Sequence, residues 1–311
     1  MRRAVLLYNP HSGRPGDRIA KIEAVAAALR REGIDIRILA TEGPRTASRQ
    51  AMEASKDTDI VFACGGDGTI HEIVQGIVFR PDVALGIIPF GSANVLARHL
   101  QLSLDPVRAA RQQINRIPRT VPIGKVTFQT ANGEDSRYFV VMAGAGADGA
   151  LVYKMLATGK HHFGRATYYL RAAALFCRAR FSSFAIHFKS PSGEPQTVRA
   201  VSAMAVRVGD LTGLFSPLIL GATVNHPKIV LTIAKTPARL SLPAWFAMSW
   251  ARLHRWNRFV RTIEVEEFHC SAGHSNAVQV QADGEWLGRT PMTVKIVPDG
   301  LRLLMPPESD F

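Results

Sequence analysis

The most informative short segment of the sequence is Gly65-Gly66-Asp67-Gly68-Thr69, which follows an apolar run and leads into helix-like sequence. Glycines at the start of a helix let backbone N–H groups approach phosphate oxygens closely, and the helix N-terminus adds partial positive charge. A carboxylate among phosphates repels them unless it binds a cation or takes up a proton. Asp67 therefore predicts Mg²⁺ binding or general-base chemistry. The alternative is a tight turn in which Asp67 is the N-cap of the helix.

Two other phosphate-binding motifs do not fit this segment. No Gly-Lys-Ser/Thr occurs in the chain, so the segment is not a Walker A loop. The dinucleotide pattern GxGxxG also fails, because His71 stands where the third glycine belongs. The neighbouring loops must therefore define the chemistry.

The first hundred residues alternate between strand-like and helix-like segments, which predicts a parallel sheet with helices on its faces. The predicted strands are Arg3–Tyr8, Ile34–Leu39, Ile60–Ala63 and Ala84–Ile88, and the predicted helices are Asp17–Arg31, Thr46–Ala54, Ile70–Ile77 and Asn94–Leu100. Each strand is followed by a polar or glycine-rich loop: Asn9–Gly13, Thr41–Gly43, Gly65–Thr69 and Pro89–Asn94. Because ligands of such sheets bind beyond the carboxyl ends of the strands, the four loops predict a single site at one edge.

The pattern changes around Arg116–Pro122, and the rest of the chain predicts a mainly antiparallel β domain interrupted by helices. Its predicted strands are Val121–Thr130, Tyr138–Ala143, Phe181–Phe188, Val198–Val208, Ile229–Ile233, Val278–Gln281, Val294–Val297 and Leu301–Met305, and its predicted helices are Leu151–Ala157, Ala166–Arg178 and Ala244–Phe259. Two acids stand together at Asp283-Gly284-Glu285. Taken alone, this segment predicts a hairpin turn, because Asp-Gly is a common one.

The composition is that of a folded protein with an unusual charge. The 311 residues suggest about two domains, and the formal net charge of +13 favours anionic partners: nucleic acid, anionic lipid headgroups or a polyphosphate substrate. No apolar stretch reaches the ~20 residues needed to cross a bilayer. Cys64, Cys177 and Cys270 lie far apart without metal-ligand spacing, which favours a reducing, cytosolic compartment.

Five motifs together resemble the diacylglycerol kinase catalytic-domain family, which includes bacterial lipid kinases, sphingosine kinases and ceramide kinases. They are NPHSG (Asn9–Gly13), GGDGTIHEIVQG, PFGSANVLARHL, AGAGADGALV (Ala143–Val152) and ADGEWLGRTPMTVKIVPDGLRLLMP (Ala282–Pro306). The resemblance implies an N-terminal Rossmann-like α/β domain (1–120, completed by 298–311) that binds ATP. It also implies a C-terminal β-sandwich-like domain (121–297) with inserted helices that binds the lipid substrate.

The resemblance also implies roles for individual residues. ATP would be bound by Asn9, Pro10, Ser12, Gly13, Thr41, Gly65, Gly66, Gly68, Thr69, Glu72, Gly91, Ser92 and Asn94. Asp67, Asp283 and Glu285 would be catalytic, with Mg²⁺ held by Asp67. The proton acceptor is Glu285 or Asp67, and the sequence does not separate them. Phosphoryl transfer to an alcohol requires this combination of phosphate binding, a divalent cation and a carboxylate.

The chain departs from the family pattern at two places. Many members have Asp after the asparagine of the fourth loop, where this chain has Val95, which shifts the expected substrate towards sphingoid bases or ceramides. Members with a structural Mg²⁺ have carboxylates in the region of Ser216–Leu231, where this chain has Asn225-His226-Pro227-Lys228-Ile229, so we expect that metal site to be absent. Asp148 matches an acid that contacts the substrate headgroup, and its alternative role is the N-cap of the following helix.

The segment Ala244–Arg261 combines three of the four tryptophans with regularly spaced arginines. On a helix, its aromatic stripe beside basic residues is typical of an interfacial membrane-binding segment. The alternative is that the stripe packs on the β domain. Arg165–Arg180 has a similar composition. No nucleic-acid-binding motif is present, so no nucleic acid partner is expected.

These patterns predict an ATP- and Mg²⁺-dependent lipid kinase, whose acceptor hydroxyl belongs to diacylglycerol, a sphingoid base or a ceramide. We expect a cytoplasmic protein in peripheral contact with the anionic inner face of the membrane, and a homodimer formed through exposed strand edges is left open. Two alternatives are a soluble-substrate kinase resembling NAD kinase and a non-catalytic lipid-binding protein with a degenerate kinase fold.

Overall fold

The computed structural model describes residues 2–13, 16–157, 181–209, 222–235, 260–272 and 278–307. The chain forms two compact units: unit 1 comprises Met1–Ile123 and Pro298–Phe311, and unit 2 comprises Gly124–Val297. Within the described ranges, no helix combines the length and apolar character that a bilayer crossing requires. The helices predicted over Ala166–Arg178 and Ala244–Phe259, with the aromatic stripe of the latter, lie outside the described residues.

Unit 1 alternates strands and helices. Its elements are β1 (Arg3–Tyr8), α1 (Arg18–Arg31), β2 (Asp35–Ala40), α2 (Ala47–Ala54), β3 (Ile60–Gly65), α3 (Asp67–Ile77), β4 (Ala84–Pro89), α4 (Val95–His99) and α5 (Pro106–Ile114). The strands are parallel in the order β4-β3-β1-β2. The alternation predicted from the sequence is confirmed for all eight elements of the first hundred residues. Only α5 was not predicted; it begins with Pro106 after Asp105, whose carboxylate accepts from the N–H of Arg108.

Apolar sequence explains why these strands lie in the middle of the unit. Every residue of β3 and β4 is buried, as expected for parallel strands covered on both faces. The core continues into the inner faces of α1 and α5. Its buried members are Ala4, Leu6, Ile22, Val25, Ala26, Leu29, Ile34, Ile36, Ile60, Phe62, Cys64, Ala84, Ile88, Ala110 and Leu304.

One edge of β4 is completed partly by a side chain. The last strand of the chain, β15 (Glu285–Met305), pairs in parallel with β4 at Leu303 and Leu85. Two residues further along β4, the buried Gln113 of α5 accepts from the Ile87 N–H (2.8 Å) and donates to the Ile87 carbonyl (2.7 Å). The side-chain amide thus supplies the donor and acceptor that a neighbouring strand would otherwise offer.

Unit 2 is built from antiparallel strands and one described helix. Its elements are β5 (Ile117–Thr130, beginning in unit 1), β6 (Gly133–Phe139), β7 (Met142–Gly146), α6 (Ala147–Ala157), β8 (Phe184–Lys189), β9 (Pro195–Ala200), β10 (Ser202–Val206), β11 (Ile229–Ala234), β12 (Val260–Val265), β13 (Glu267–Cys270), β14 (Gln279–Ala282) and most of β15. The pairing follows β12-β11-β10-β7-β14-β15, while β15 also pairs with β13, which continues to β8 and β9, and with β5.

A single core cluster takes side chains from both branches of the unit 2 sheet. Ala203 and Leu231 come from one branch, and Phe184 and Phe268 come from the other. Phe139 of β6 packs into the same cluster. A core shared in this way is what the predicted sandwich-like packing requires.

The boundaries in unit 2 correct several sequence predictions. The strand predicted over Tyr138–Ala143 is interrupted at Val140 and Val141, and the one predicted over Val198–Val208 is interrupted at Val201. Val294–Val297 and Leu301–Met305 are parts of one strand, and β12 and β13 were not predicted. Apolar runs do not reveal such breaks, because the hydrogen bonds that replace the strand ladder come from distant residues.

We predict that Gln113→Met lowers the free energy of unfolding by about 1–3 kcal/mol, because it leaves the N–H and C=O of the buried Ile87 without these partners. Urea unfolding followed by circular dichroism measures the change. Gln112→Met is the matched control: Gln112 accepts from the Ser103 N–H at an exposed position, where water replaces the lost bond. Equal stability of the two variants would contradict the role given to Gln113.

Candidate functional site

Four loops lie together at the carboxyl edge of the parallel sheet in unit 1. We name them loop 1 (residues 9–13, after β1), loop 2 (41–43, after β2), loop 3 (65–69, from the end of β3) and loop 4 (89–94, from the end of β4). The strand registers bring their starts side by side, since Tyr8 pairs with both Ala40 and Cys64, and Gly65 pairs with Pro89. The predicted convergence of the loops at one edge is confirmed.

Two glycines allow loops 3 and 4 to touch through their main chains. A Cβ on Gly91 would lie 2.5 Å from the Gly66 Cα, and one on Gly66 would lie 3.2 Å from the Gly91 Cα. Gly66 has an ordinary φ of −92°, which any residue can adopt. Glycine is needed there because a side chain would not fit against loop 4. At Gly65, a Cβ would meet the Thr69 side chain at 2.5 Å. These glycines serve the packing of the loops, in addition to any contact with phosphate.

Asp67 joins loop 3 to the helix that follows loop 4. It is the first residue of α3, whose N-cap is Gly66, so the alternative that Asp67 is the N-cap is wrong. Its Oδ1 accepts from the N–H of Val95, the first residue of α4, at 2.8 Å. Position 95, where the resemblance leads us to expect aspartate, therefore contributes its backbone N–H to Asp67, and a valine can do this as well as an aspartate.

Asn9 connects loop 1 to loop 3. Its Nδ2 donates to Thr69 Oγ1 at 3.2 Å, and its backbone N–H donates to the Cys64 carbonyl at 3.1 Å. Its Oδ1 accepts from the His11 N–H at 2.8 Å, which also shapes loop 1 itself. Burial raises the pKa of the Cys64 thiol far above its ordinary value, so it remains a neutral thiol beneath the loops.

Asn94 fixes the shape of loop 4. It adopts a left-handed conformation (φ +50°), which asparagine tolerates better than most residues. Its buried side chain accepts from the Gly91 N–H at 2.9 Å and donates to the Gly91 carbonyl at 2.7 Å. Gly91 is thereby held against loop 3.

Glu72 and Thr41 are placed on the loop 2 side of the edge. Glu72 accepts from the backbone N–H groups of Arg45 (3.2 Å) and Ala47 (3.3 Å), so its carboxylate lies at the start of α2. The buried Thr41 donates its N–H to the Tyr8 carbonyl at 2.8 Å. Both residues shape the rim of the candidate site.

Two residues that organise the loops were missed from the sequence. The guanidinium of Arg18 donates to the carbonyls of Pro10, Ser12 and Gly13 and holds loop 1. The side chain of Gln50 accepts from the Glu42 N–H (3.1 Å) and donates to the Ala40 carbonyl (2.9 Å), which holds loop 2. Neither stands in a recognisable motif; both occur in ordinary helical sequence.

The loop edge has features that suit a triphosphate with Mg²⁺. The eleven-residue helix α3 begins here with Gly66 as its cap, which has no side chain to accept from the first N–H groups of the helix. Among the described residues, no group of three or more His, Cys, Asp or Glu side chains could hold a metal. A magnesium ion held by one carboxylate together with phosphate oxygens is nevertheless common, and Asp67 fits that arrangement.

In unit 2, Asp283-Gly284 forms a two-residue hairpin turn between β14 and β15. Both residues have positive φ (+49° and +86°), and Ala282 pairs with Glu285 across the turn. The predicted hairpin turn is therefore present, which leaves the catalytic role untested, and Glu285 is the exposed first residue of β15. The Asp283 carboxylate accepts from three backbone N–H groups at 2.9–3.0 Å, those of Val140, Val141 and Met142.

Asp148 lies beside this turn. It belongs to the first turn of α6, and its carboxyl accepts from Gln281 Nε2 and from Ser202 Oγ, each at 3.2 Å. Burial raises its pKa, opposed by these hydrogen bonds. Gln281 also accepts from the Gly284 N–H at 3.1 Å, so this buried amide, missed from the sequence, links Asp148 to the turn. Gly144 must be glycine, because a Cβ there would lie 2.2 Å from Asp148 Oδ2.

The structure thus gathers the sequence-predicted residues into two groups. Unit 1 brings together the loop residues, and unit 2 brings together Asp148, Asp283 and Glu285. Pro10, Gly68 and Ser92 belong to loops 1, 3 and 4, respectively. A cavity shared by Asp67 and Glu285 stays a prediction.

Comparisons with known proteins agree with these motifs. Residues 3–126 match the family model described as the diacylglycerol kinase catalytic domain. The chain is 27% identical to a diacylglycerol kinase of Bacillus subtilis over 99% of this chain and 98% of that protein, and 26% identical to one of Mycobacterium tuberculosis over 96% and 94%. A relative from Staphylococcus haemolyticus is 34% identical, over 54% of this chain and 49% of that protein.

Solved structures show the same fold. A diacylglycerol kinase from Bacillus anthracis superposes with a TM-score of 0.75 at 20% identity, covering 99% of this chain and 98% of that chain. Yeast NADH kinase complexed with NADH gives a TM-score of 0.50 at 13% identity, covering 100% and 85%. At these identities the likeness concerns the fold alone, a mixed α/β sheet fold.

We predict that Gly91→Ala destabilises the protein by about 1–3 kcal/mol, because its Cβ would be forced against the Gly66 main chain. Gly43→Ala is the matched control in loop 2, where an added Cβ meets nothing within 4 Å. Thermal and urea unfolding of both variants measure the difference. If Gly91→Ala matched Gly43→Ala in stability, the close crossing of loops 3 and 4 would be disproved.

A second prediction concerns pH. Burial raises the folded-state pKa of Asp148, so its contribution to stability is complete below the unfolded pKa of ~3.9 and is lost as pH rises through the folded pKa. Asp148→Asn removes this titration. Between pH 4 and pH 7, the wild type should therefore lose free energy of unfolding relative to the variant. Parallel stability curves for the two proteins across that range would contradict a raised pKa of Asp148.

Proposed function

We propose that this chain, whose residues 3–126 match the diacylglycerol kinase catalytic domain, transfers the γ-phosphate of ATP to the hydroxyl of a lipid. Mg²⁺ would be the metal. Diacylglycerol is the first acceptor to test, because the curated relatives are named diacylglycerol kinases. Sphingoid bases and ceramides are the related acceptors that Val95 brings into consideration.

The arrangement around Asp67 carries the proposal. A carboxylate stands at the start of α3, between two loops that meet through bare glycine main chain. Backbone N–H groups at that helix end attract phosphate, whereas a carboxylate without a bound cation would repel it. The combination suits a bound phosphate group that arrives with a divalent cation.

The residues of the chain would have separate tasks. Asn9, Thr69, Gly91 and Asn94 would shape the nucleotide side of the site, and Asp67 would hold the cation. When bound, Mg²⁺ would neutralise charge on the phosphates. Glu285 would accept the proton of the lipid hydroxyl, since its carboxylate is exposed at the end of the unit 2 hairpin.

Asp148 would recognise the lipid headgroup. Burial raises the pKa of its carboxyl, which disfavours the charged form. A hydroxyl, which all the candidate acceptors carry, can donate to a carboxyl oxygen in either protonation state.

We further propose that the protein acts at an anionic membrane surface on the cytoplasmic side. The formal net charge of +13 supports this proposal, since basic residues near anionic lipid each contribute about 1 kcal/mol. A homodimer stays a prediction.

We predict that Asp67→Asn lowers phosphoryl transfer at least ~100-fold, because it removes the proposed cation ligand. The assay supplies labelled ATP and Mg²⁺ with a panel of diacylglycerol, sphingosine, ceramide and NAD, and it identifies the product. Asp82→Asn is the matched control, an exposed acid outside the four loops that should leave activity unchanged.

The panel also distinguishes the alternatives. Transfer only to NAD would favour the soluble-substrate kinase, and transfer to no acceptor would favour a non-catalytic lipid-binding protein. Full lipid kinase activity in Asp67→Asn would remove the assignment of Asp67.

A further inference from the structure

We propose that Asp283 is a positioning residue, which together with the buried Arg207 fixes the turn that presents Glu285. The two acids of the Asp-Gly-Glu motif would then have different tasks, with Glu285 alone accepting the proton. This inference rests on the proposed function, and it concerns a division of roles that the motif does not reveal.

The carboxylate of Asp283 is committed to the backbone. Its Oδ2 accepts from the Val140 N–H at 3.0 Å, and its Oδ1 accepts from the N–H groups of Val141 (2.9 Å) and Met142 (3.0 Å). The Asp283 N–H returns a bond to the Met142 carbonyl at 2.8 Å. Both oxygens therefore already accept hydrogen bonds from backbone N–H groups, which makes this carboxylate less suited to take a proton from a substrate.

The backbone between β6 and β7 needs an acceptor such as the Asp283 carboxylate. β6 ends at Phe139 and β7 begins at Met142, so Val140 and Val141 lie outside the strand ladder. Both valines are buried, and a buried N–H without an acceptor costs about 1–3 kcal/mol. Asp283 meets this requirement from a position more than 140 residues away in sequence.

Arg207 provides the charge that makes a half-buried carboxylate tolerable here. It is 1% exposed, and its guanidinium donates to the carbonyls of Val224 (2.5 Å) and His226 (3.2 Å). Burial lowers its pKa to about 10, and the negative charge of Asp283 opposes that effect. The backbone N–H of residue 207 donates to the Val141 carbonyl at 2.9 Å, so the main chain at Arg207 is paired with the same break between β6 and β7 that Asp283 bonds.

The hairpin turn is restrained at both of its residues, Asp283 and Gly284. Asp283 is anchored through its carboxylate, and the Gly284 N–H donates to Gln281, which is bonded in turn to Asp148. Glu285 follows directly as the exposed end of this framework. A carboxylate placed on so restrained a turn has a fixed direction, and misplacement of a reacting group by about 1 Å can cost ~100-fold in rate.

The test compares three variants with the wild type on a lipid hydroxyl acceptor, measuring kcat, KM and the pH dependence of kcat. In Glu285→Gln, kcat should fall at least ~100-fold. The decrease of kcat at acidic pH should also disappear, as expected when a general base is removed. We call this decrease the acidic limb. Asp283→Asn should lose kcat by ~10–100-fold while the acidic limb remains. Asp135→Asn is the matched control: Asp135 also accepts a backbone N–H, that of Ser136, but at an edge distant in sequence from the turn; wild-type kinetics are expected.

Arg207→Met tests whether Arg207 and Asp283 act together. It should reproduce the loss of kcat seen in Asp283→Asn, and the double variant should be no worse than either single variant, because the two residues act as a unit. Additive losses in the double variant would overturn the coupling. Disappearance of the acidic limb in Asp283→Asn, or wild-type kcat in Glu285→Gln, would overturn the division of roles.

Hydrogen exchange provides a readout that does not depend on activity. In Asp283→Asn, protection of the Val140, Val141 and Met142 amides should fall, while that of the β10–β11 amides should remain. Unchanged protection would overturn the positioning role. A wild-type protein that transfers no phosphate to any acceptor would instead refute the proposed function, whatever the exchange result.

Discussion

The arrangement of unit 1 depends on the contact between the main chains at Gly66 and Gly91. Because neither residue has a Cβ, loops 3 and 4 approach closely enough for Asp67 to reach the first N–H of α4. Asn94 holds Gly91 in place from one side, and Asn9 ties loop 3 to loop 1 from the other. The glycines of the GGDGT segment therefore have two consequences: they leave the start of α3 without a capping side chain, and they let neighbouring loops restrain Asp67.

The elements of unit 1 could be predicted well because their signals are local. Apolar runs define β3 and β4, and helical periodicity defines α1. The four loops were identified by residue type alone, since glycine, asparagine and aspartate directly after buried parallel strands are typical of ligand-binding loops. Asp148 and the acids of the hairpin were identified through the family resemblance.

What the sequence could not predict involves side chains that bond to backbone groups of other elements. The break at Val140 depends on Asp283, the edge of β4 depends on Gln113, and loop 1 depends on Arg18. Gln113 and Arg18 stand in unremarkable local contexts, and Asp283 stands in a motif that does not reveal its contact with Val140. The structural role of each follows only from the backbone group that it bonds. A motif identifies which residues matter, whereas the hydrogen-bond partners identify what each residue does.

The course of β15 has a consequence for how the protein is made. Unit 1 is discontinuous in sequence, because residues 124–297 are inserted before its last segment, and Leu303 reaches β4 only at the end of that segment. During vectorial synthesis on the ribosome, the sheet of unit 1 must wait for this strand until all of unit 2 has been translated. At ~5–20 residues per second, that interval is on the order of ten seconds or more. If Gln113 bonds Ile87 in the nascent chain as it does in the folded one, it limits the backbone available for wrong strand pairing during that interval.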